Sequence, residues 1–131
     1  TSINNPTDED IVCGLYLHDT MEDGDLSYND IKKHFNKNVA EIVYCVSDES
    51  GRNRKERKEK TYPKTRSNEG ARIVKLCDRV ANVRNSKRLK PDLYKMYCKE
   101  HKEFILNLKV DPLHLHEVEI TLWDMLNKEM K

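Results

Sequence analysis

No apolar run in the 131 residues is long enough to cross a bilayer, and no basic segment followed by an apolar one stands at the start. Neither a membrane span nor a secretory leader is therefore expected; the chain opens on Thr1 rather than Met, and its start reads as incomplete. No two cysteines form a CxxC pair. Cys13, Cys45, Cys77 and Cys98 are spaced widely and irregularly among apolar neighbours, which speaks for reduced core thiols over a zinc or disulfide framework and makes a cytoplasmic setting the expectation. No segment alternates like a strand, and nothing repeats. Net charge is only +1, although 36% of the residues are charged and 37% hydrophobic, so a modest core under a heavily charged surface is expected. The length fits one domain, residues 1–131.

What is present is helical spacing. Thr7-Asp8-Glu9-Asp10 reads as a capping box, and Ile11, Val12, Leu15 and Tyr16 carry a helix into His18 and Asp19. Gly24 and Asp25 break it. Ser27 with Asp30 caps a short helix bearing Ile31 and Phe35, and another covers Val39, Ile42, Val43 and Val46. Asp48 to Gly51 is a turn, after which the basic run Arg52 to Arg66 is partly helical up to Tyr62-Pro63, where the proline is expected to end it. From Gly70 to about Arg84, Ile73, Leu76, Cys77, Val80 and Val83 mark an apolar face, and Lys75, Asp78, Asn82 and Asn85 line the other. Pro91 opens a long helix through Leu108; Asp111-Pro112 closes the connection, and Leu115, Val118, Leu122, Met125 and Leu126 mark the last one. The fold class is all-α.

The stretch His18-Asp19-Thr20-Met21-Glu22-Asp23 puts an imidazole and three carboxylates within six residues at one helix end. Such a group repels itself unless a cation or shared proton relieves it, which points to a divalent metal; an ordinary charged helix terminus is the plainer alternative. Asp78, on the polar face of a later helix, would add a third ligand. Imidazole with hard carboxylates suits Mn²⁺ or Fe²⁺, with Zn²⁺ as a further option. The basic run, offset within it by Glu56 and Glu59, suits an anionic partner or is simply a solvated helix. Its single aromatic, Tyr62, gives no stacking platform, so no nucleic-acid partner is expected.

These segments resemble the HD-domain phosphohydrolases, and among them the RelA/SpoT-type alarmone hydrolases, including the small metazoan SpoT homologues. LHDTMEDGDLSYNDIKKHFNKNVAEIVYCVSD is similar to that family's LHDTVEDT segment and the two helices after it; KLCDRVANVRN is similar to its KLADRLxNxR segment; and the triplet Glu56-Arg57-Lys58 lies between them as in the small members. The likeness is strong up to about Arg88 and holds in outline beyond. It implies an HD-domain bundle of about six helices and hydrolysis of the 3′-pyrophosphate of (p)ppGpp to GDP or GTP plus pyrophosphate. It implies that His18, Asp19 and Asp78 bind Mn²⁺, and that Glu22 and Asp23 hold and deprotonate the attacking water. Asn82, with Lys75 on the same face, then meets the nucleotide, and Arg54, Lys55 and Arg57 supply cations to the pyrophosphate.

The family's first ligand is a histidine on a helix ahead of the HD helix, and this chain contains no counterpart. His34, His101, His114 and His116 lie where the family has no ligand, the last two at positions suited to a surface or a helix cap. Three rivals stand beside the alarmone reading: an HD enzyme for another nucleotide (a related alarmone, a nicotinamide dinucleotide phosphate or a nucleoside monophosphate), an inactive nucleotide-binding HD module, and a nucleic-acid binder using the basic run. The oligomeric state is not legible.

Overall fold

The first backbone N–H groups of a helix have no partner within it, so short polar side chains collect there. In the computed structural model, which describes residues 7–18, 24 and 26–130, this chemistry sets most helix starts. Thr7 Oγ1 accepts from the Asp10 amide at 3.1 Å and the Asp10 carboxylate accepts from the Thr7 amide, closing the expected capping box at the head of α1 (Asp8–Leu17). Ser27 and Asp30 repeat the device on α2 (Tyr28–His34). Asn36 opens α3 (Lys37–Val46), Asn53 opens α4 (Arg54–Arg66), and Asn68 accepts from the Ala71 amide where α5 (Glu69–Leu89) begins. Pro91, which has no N–H to leave stranded, stands first in α6 (Pro91–Leu108). After a 3₁₀ turn, Pro112–His114, the His116 imidazole accepts from the Val118 amide and starts α7 (Glu117–Glu129). Among the described residues every regular element is helical, with seven α-helices where about six were expected. None of them is long and apolar enough to cross a membrane.

Four expectations are corrected. Pro63 does not end α4, which runs on to Arg66. A proline in the last turn forfeits one hydrogen bond, and here it faces solvent while Thr61, Tyr62 and Thr65 are buried and hold the helix. The predicted helix over 70–84 extends to Leu89. Leu115 lies ahead of the last helix and Val118 is exposed; the inward positions are Glu119, Leu122, Trp123 and Leu126. All four cysteines are free, but Cys45 alone is buried and Cys98 is exposed. α1 ends at Leu17, ahead of the glycine expected to break it, and Gly24 has φ +81°, in the left-handed region that suits glycine.

The chain divides into two compact units, Thr1–Val74 and Lys75–Lys131. The first has an aliphatic interior in two patches. Ile42, Cys45, Val46, Ala71 and Val74 receive Ile11 and Leu15 from α1, and Ile31, Val39, Ala40 and Val43 receive Cys13, Leu17, Leu26 and Tyr28. Apolar residues thus flank α1 on two sides, while Tyr16 is 82% exposed. The second unit has larger pieces: Phe104 and Trp123 lie at 5.6 Å between ring centroids, with Leu76, Val80, Val83, Tyr97, Leu108, Leu122 and Leu126 also buried.

Candidate functional site

His18 follows α1 directly as its C-cap and is half-buried. Its Nδ1 lies 2.7 Å from the Leu15 carbonyl oxygen. A carbonyl can only accept, so Nδ1 carries a proton, and in the neutral ring this leaves the lone pair to Nε2. This is how metal-binding imidazoles are oriented, with the far nitrogen held by a backbone acceptor. Asp19, Glu22 and Asp23 lie outside the described residues.

The other expected site residues fall in both units. In the second, the half-buried Asp78 carboxylate accepts from Asn82 Nδ2 at 3.2 Å, one turn along α5, and Lys75 stands one turn earlier on the same face. The structure thus brings Asp78, Asn82 and Lys75 onto one side of α5. Next to them Cys77 is half-buried, and burial, aided by the Asp78 charge, pushes its thiol pKa up. Burial likewise raises the Cys45 thiol to about 11. Among the described residues no three His, Cys, Asp or Glu side chains gather around one point. Taken singly, each described donor is of a kind that divalent cations accept: an imidazole whose Nδ1 is held by a backbone carbonyl, and a carboxylate that accepts from an amide.

In the first unit the basic run is helical. Arg54 and Arg57 stand one turn apart on α4, both half-buried, whereas Lys55 is exposed about 100° around the helix. Much of the run's charge is engaged locally. Lys58 Nζ donates to both Asp48 oxygens at 2.9 and 3.2 Å, Lys60 to the Ser50 carbonyl at 3.1 Å, and Lys64 to Glu49 at 3.3 Å. The Glu49 amide donates to Thr61 Oγ1 at 2.9 Å, so the 48–50 loop is tied down along the helix. Glu56 takes Arg52 and Lys60, and these two hydrogen bonds hold its carboxyl below the usual range.

Three features around these residues were not read from the sequence. Asp10, counted as a cap, also accepts from Asn36 Nδ2 at 2.9 Å and from Asn38 Nδ2 at 3.4 Å. Burial works to raise its pKa, but the bonds from Asn36, Thr7 and Asn38 together outweigh that and lower it. Tyr28 donates to Glu41 at 2.5 Å, and this bond, with burial, pushes the phenol up to about 12. Arg79 is buried beside Asp78 in sequence, with Nη2 3.0 Å from Glu100 and its guanidinium 4.5 and 4.4 Å from the centres of the Tyr97 and Phe104 rings. The partners of all three are distant along the chain, which is why local pattern did not show them.

No family model and no solved structure matches the chain. Curated relatives do. Guanosine-3′,5′-bis(diphosphate) 3′-pyrophosphohydrolase MESH1 of Xenopus tropicalis is 33% identical over 87 residues, 66% of this chain and 49% of the relative. A guanosine-3′,5′-bis(diphosphate) 3′-pyrophosphohydrolase of Vibrio cholerae is 30% identical over 116 residues, 83% of this chain and 16% of the relative. The bifunctional (p)ppGpp synthase/hydrolase SpoT of Escherichia coli is 28% identical over 125 residues, 90% of this chain and 18% of the relative. The chain spans about half the length of the MESH1 relatives it matches. With the two motif segments in order, an all-helical fold and relatives of one kind across most of its length, the chain belongs to the RelA/SpoT-type hydrolase family.

Proposed function

We propose that the protein is a Mn²⁺-dependent hydrolase that removes the 3′-pyrophosphate of (p)ppGpp, giving GDP or GTP and pyrophosphate. One observation carries the reading: relatives from vertebrates and bacteria are named for this hydrolysis, and the chain has HDTMED and KLCDRVANVRN in the family's order. His18 through Nε2, Asp19 and Asp78 are the residues that would hold the cation. Once bound, a divalent cation supplies Lewis acidity, lowering the pKa of water and drawing charge from phosphate oxygens.

The rest falls to the chain's own groups. Glu22 and Asp23 orient a water and take its proton as its oxygen bonds to the phosphorus on the ribose 3′ oxygen. The bond from phosphorus to that 3′ oxygen breaks, and the 3′ oxygen takes up a proton. Asn82 meets the nucleotide, its amide held by Asp78. Lys75, Arg54, Lys55 and Arg57 offer positive charge to the departing pyrophosphate. A nucleotide substrate without nucleic-acid or membrane partners, in the cytoplasm, goes with this role.

The test is to incubate the full chain with ppGpp and Mn²⁺, and with a panel of a related alarmone, NADPH and a nucleoside monophosphate, separating products by ion exchange. GDP and pyrophosphate should form, and Glu22→Ala and Asp78→Ala should each slow the reaction about a hundredfold or more. Turnover of another panel member with ppGpp untouched, or an Asp78→Ala variant at the wild-type rate, would overturn the reading.

A further inference from the structure

Glycine inside a helix costs about 1 kcal/mol relative to alanine, so Gly14, midway along α1 and one turn before His18, calls for a physical reason. The reason is contact. A β-carbon on Gly14 would stand 2.6 Å from Ile42 Cγ2 and 3.5 Å from both Ile42 Cβ and Val74 Cγ2. Ile42 Cγ2 sits directly on a branched β-carbon, and Ile42 is 1% exposed, so it has neither the rotamer freedom nor the room to swing aside. The backbone of α1 therefore lies against α3 at this point.

Positions 10, 14 and 18 follow one another at four-residue spacing along a single ridge of α1. At its start Asp10 is tied to Asn36 and Asn38 at the head of α3. In its middle Gly14 meets Ile42. At its end stands His18. Ile11 and Leu15 fill one flank, and Cys13 and Leu17 the other. A helix held by a close contact, a polar tether and two apolar flanks has one depth and one register against its neighbour.

We propose that Gly14 and Asp10 are positioning residues. Gly14 sets the depth at which α1 seats on α3, Asp10 sets its register, and together they fix where the His18 imidazole stands. The inference rests on the hydrolase reading in taking His18 as a metal ligand. Relieving a 2.6 Å contact to ordinary van der Waals distance moves α1 outward by about 1 Å, a displacement that costs about a hundredfold when it misplaces a reacting group.

The experiment uses the full chain as wild type, Gly14→Ala, Ile42→Ala, the double variant, and Asp10→Ala. Mn²⁺ affinity is measured by electron paramagnetic resonance, kcat and KM with ppGpp, and the His18 ring resonances by ¹⁵N NMR. Gly14→Ala should weaken Mn²⁺ binding about tenfold and lower kcat about 10–100-fold, with KM within about threefold. Asp10→Ala should lower kcat by a smaller factor, about threefold to tenfold, and serves where Gly14→Ala fails to fold. Removing the Ile42 side chain makes room, so the double variant should regain most of the lost kcat and its His18 resonances should return toward wild type, with no matching gain in thermal stability. Wild-type kcat and His18 resonances in a folded Gly14→Ala, or a double variant as impaired as Gly14→Ala, would overturn the proposal. A wild-type chain inert toward ppGpp would instead sink the hydrolase reading, while the His18 resonances would still decide the positioning.

Discussion

The units Thr1–Val74 and Lys75–Lys131 bury polar side chains in different company. In the first, Thr61 donates to Arg57 and accepts from Glu49, Thr65 donates to the Cys45 carbonyl, Ser47 to Val43, and Arg72 to the Arg66 carbonyl. In the second, Arg79 lies against two aromatic rings, and Arg79 Nε, His101 Nδ1 and Trp123 Nε1 are buried without a hydrogen-bond partner; among the described residues the first unit has no such atom. Small side chains with every polar atom matched allow few alternative seatings, whereas broad aromatic faces supply energy with less demand on register. The helix that ends at His18 belongs to the demanding kind.

The comparison can be broken most forcefully in the second unit. Phe104 is fully buried against Trp123 and beneath the Arg79 guanidinium, so Phe104→Ala should cost about 4 kcal/mol. Glu100→Ala, which leaves a guanidinium 3% exposed without its carboxylate, should cost about 2 kcal/mol; the figure is set below that of a fully buried pair because Glu100 is 26% exposed. Trp123 is the one tryptophan of the sequence, so its fluorescence during urea unfolding reads both changes where they act. A loss under about 1 kcal/mol for Phe104→Ala would mean that the aromatic interior is not what holds this unit.

In the first unit Thr65→Val keeps the shape but strands the Cys45 carbonyl, and should cost about 1–2 kcal/mol by circular dichroism in urea. Neutrality there would erase the contrast between matched and unmatched polar groups. The smallest effect is that of acid on Asp10. Its folded carboxyl is held below the unfolded value, so the stability it adds is fully present above about pH 4 and is lost as pH falls through the folded pKa. Wild type should therefore lose stability below about pH 4 by a few tenths of a kcal/mol more than Asp10→Asn does.

Much of the helical order was legible because its determinants are local. Thr7 with Asp10, Ser27 with Asp30 and Pro91 declare helix starts within four residues, and the apolar faces of α3 and α5 follow the 3.6 period. Pro63 misled because a proline rule does not see the burial of Thr61, Tyr62 and Thr65, which holds the last turn together. Of the candidate site, the identities of His18, Asp78 and Asn82 could be read, but not the proton on Nδ1, which depends on the imidazole meeting the Leu15 carbonyl one turn back. The second bond set of Asp10 spans 26 and 28 residues and that of Arg79 spans 21, separations over which periodicity carries no information.

The lysines of α4 carry one more consequence. Lys58, Lys60 and Lys64 hold the loop from Asp48 to Ser50 at contact distance, and charges so engaged release few bound counterions when an anion arrives. The count of Lys and Arg between positions 52 and 66 therefore overstates what this helix offers a polyphosphate. Plotted against the logarithm of ionic strength, anion affinity should fall with a slope set by the few remaining cations such as Lys55, while the stitched loop loosens at salt concentrations well above those that weaken binding.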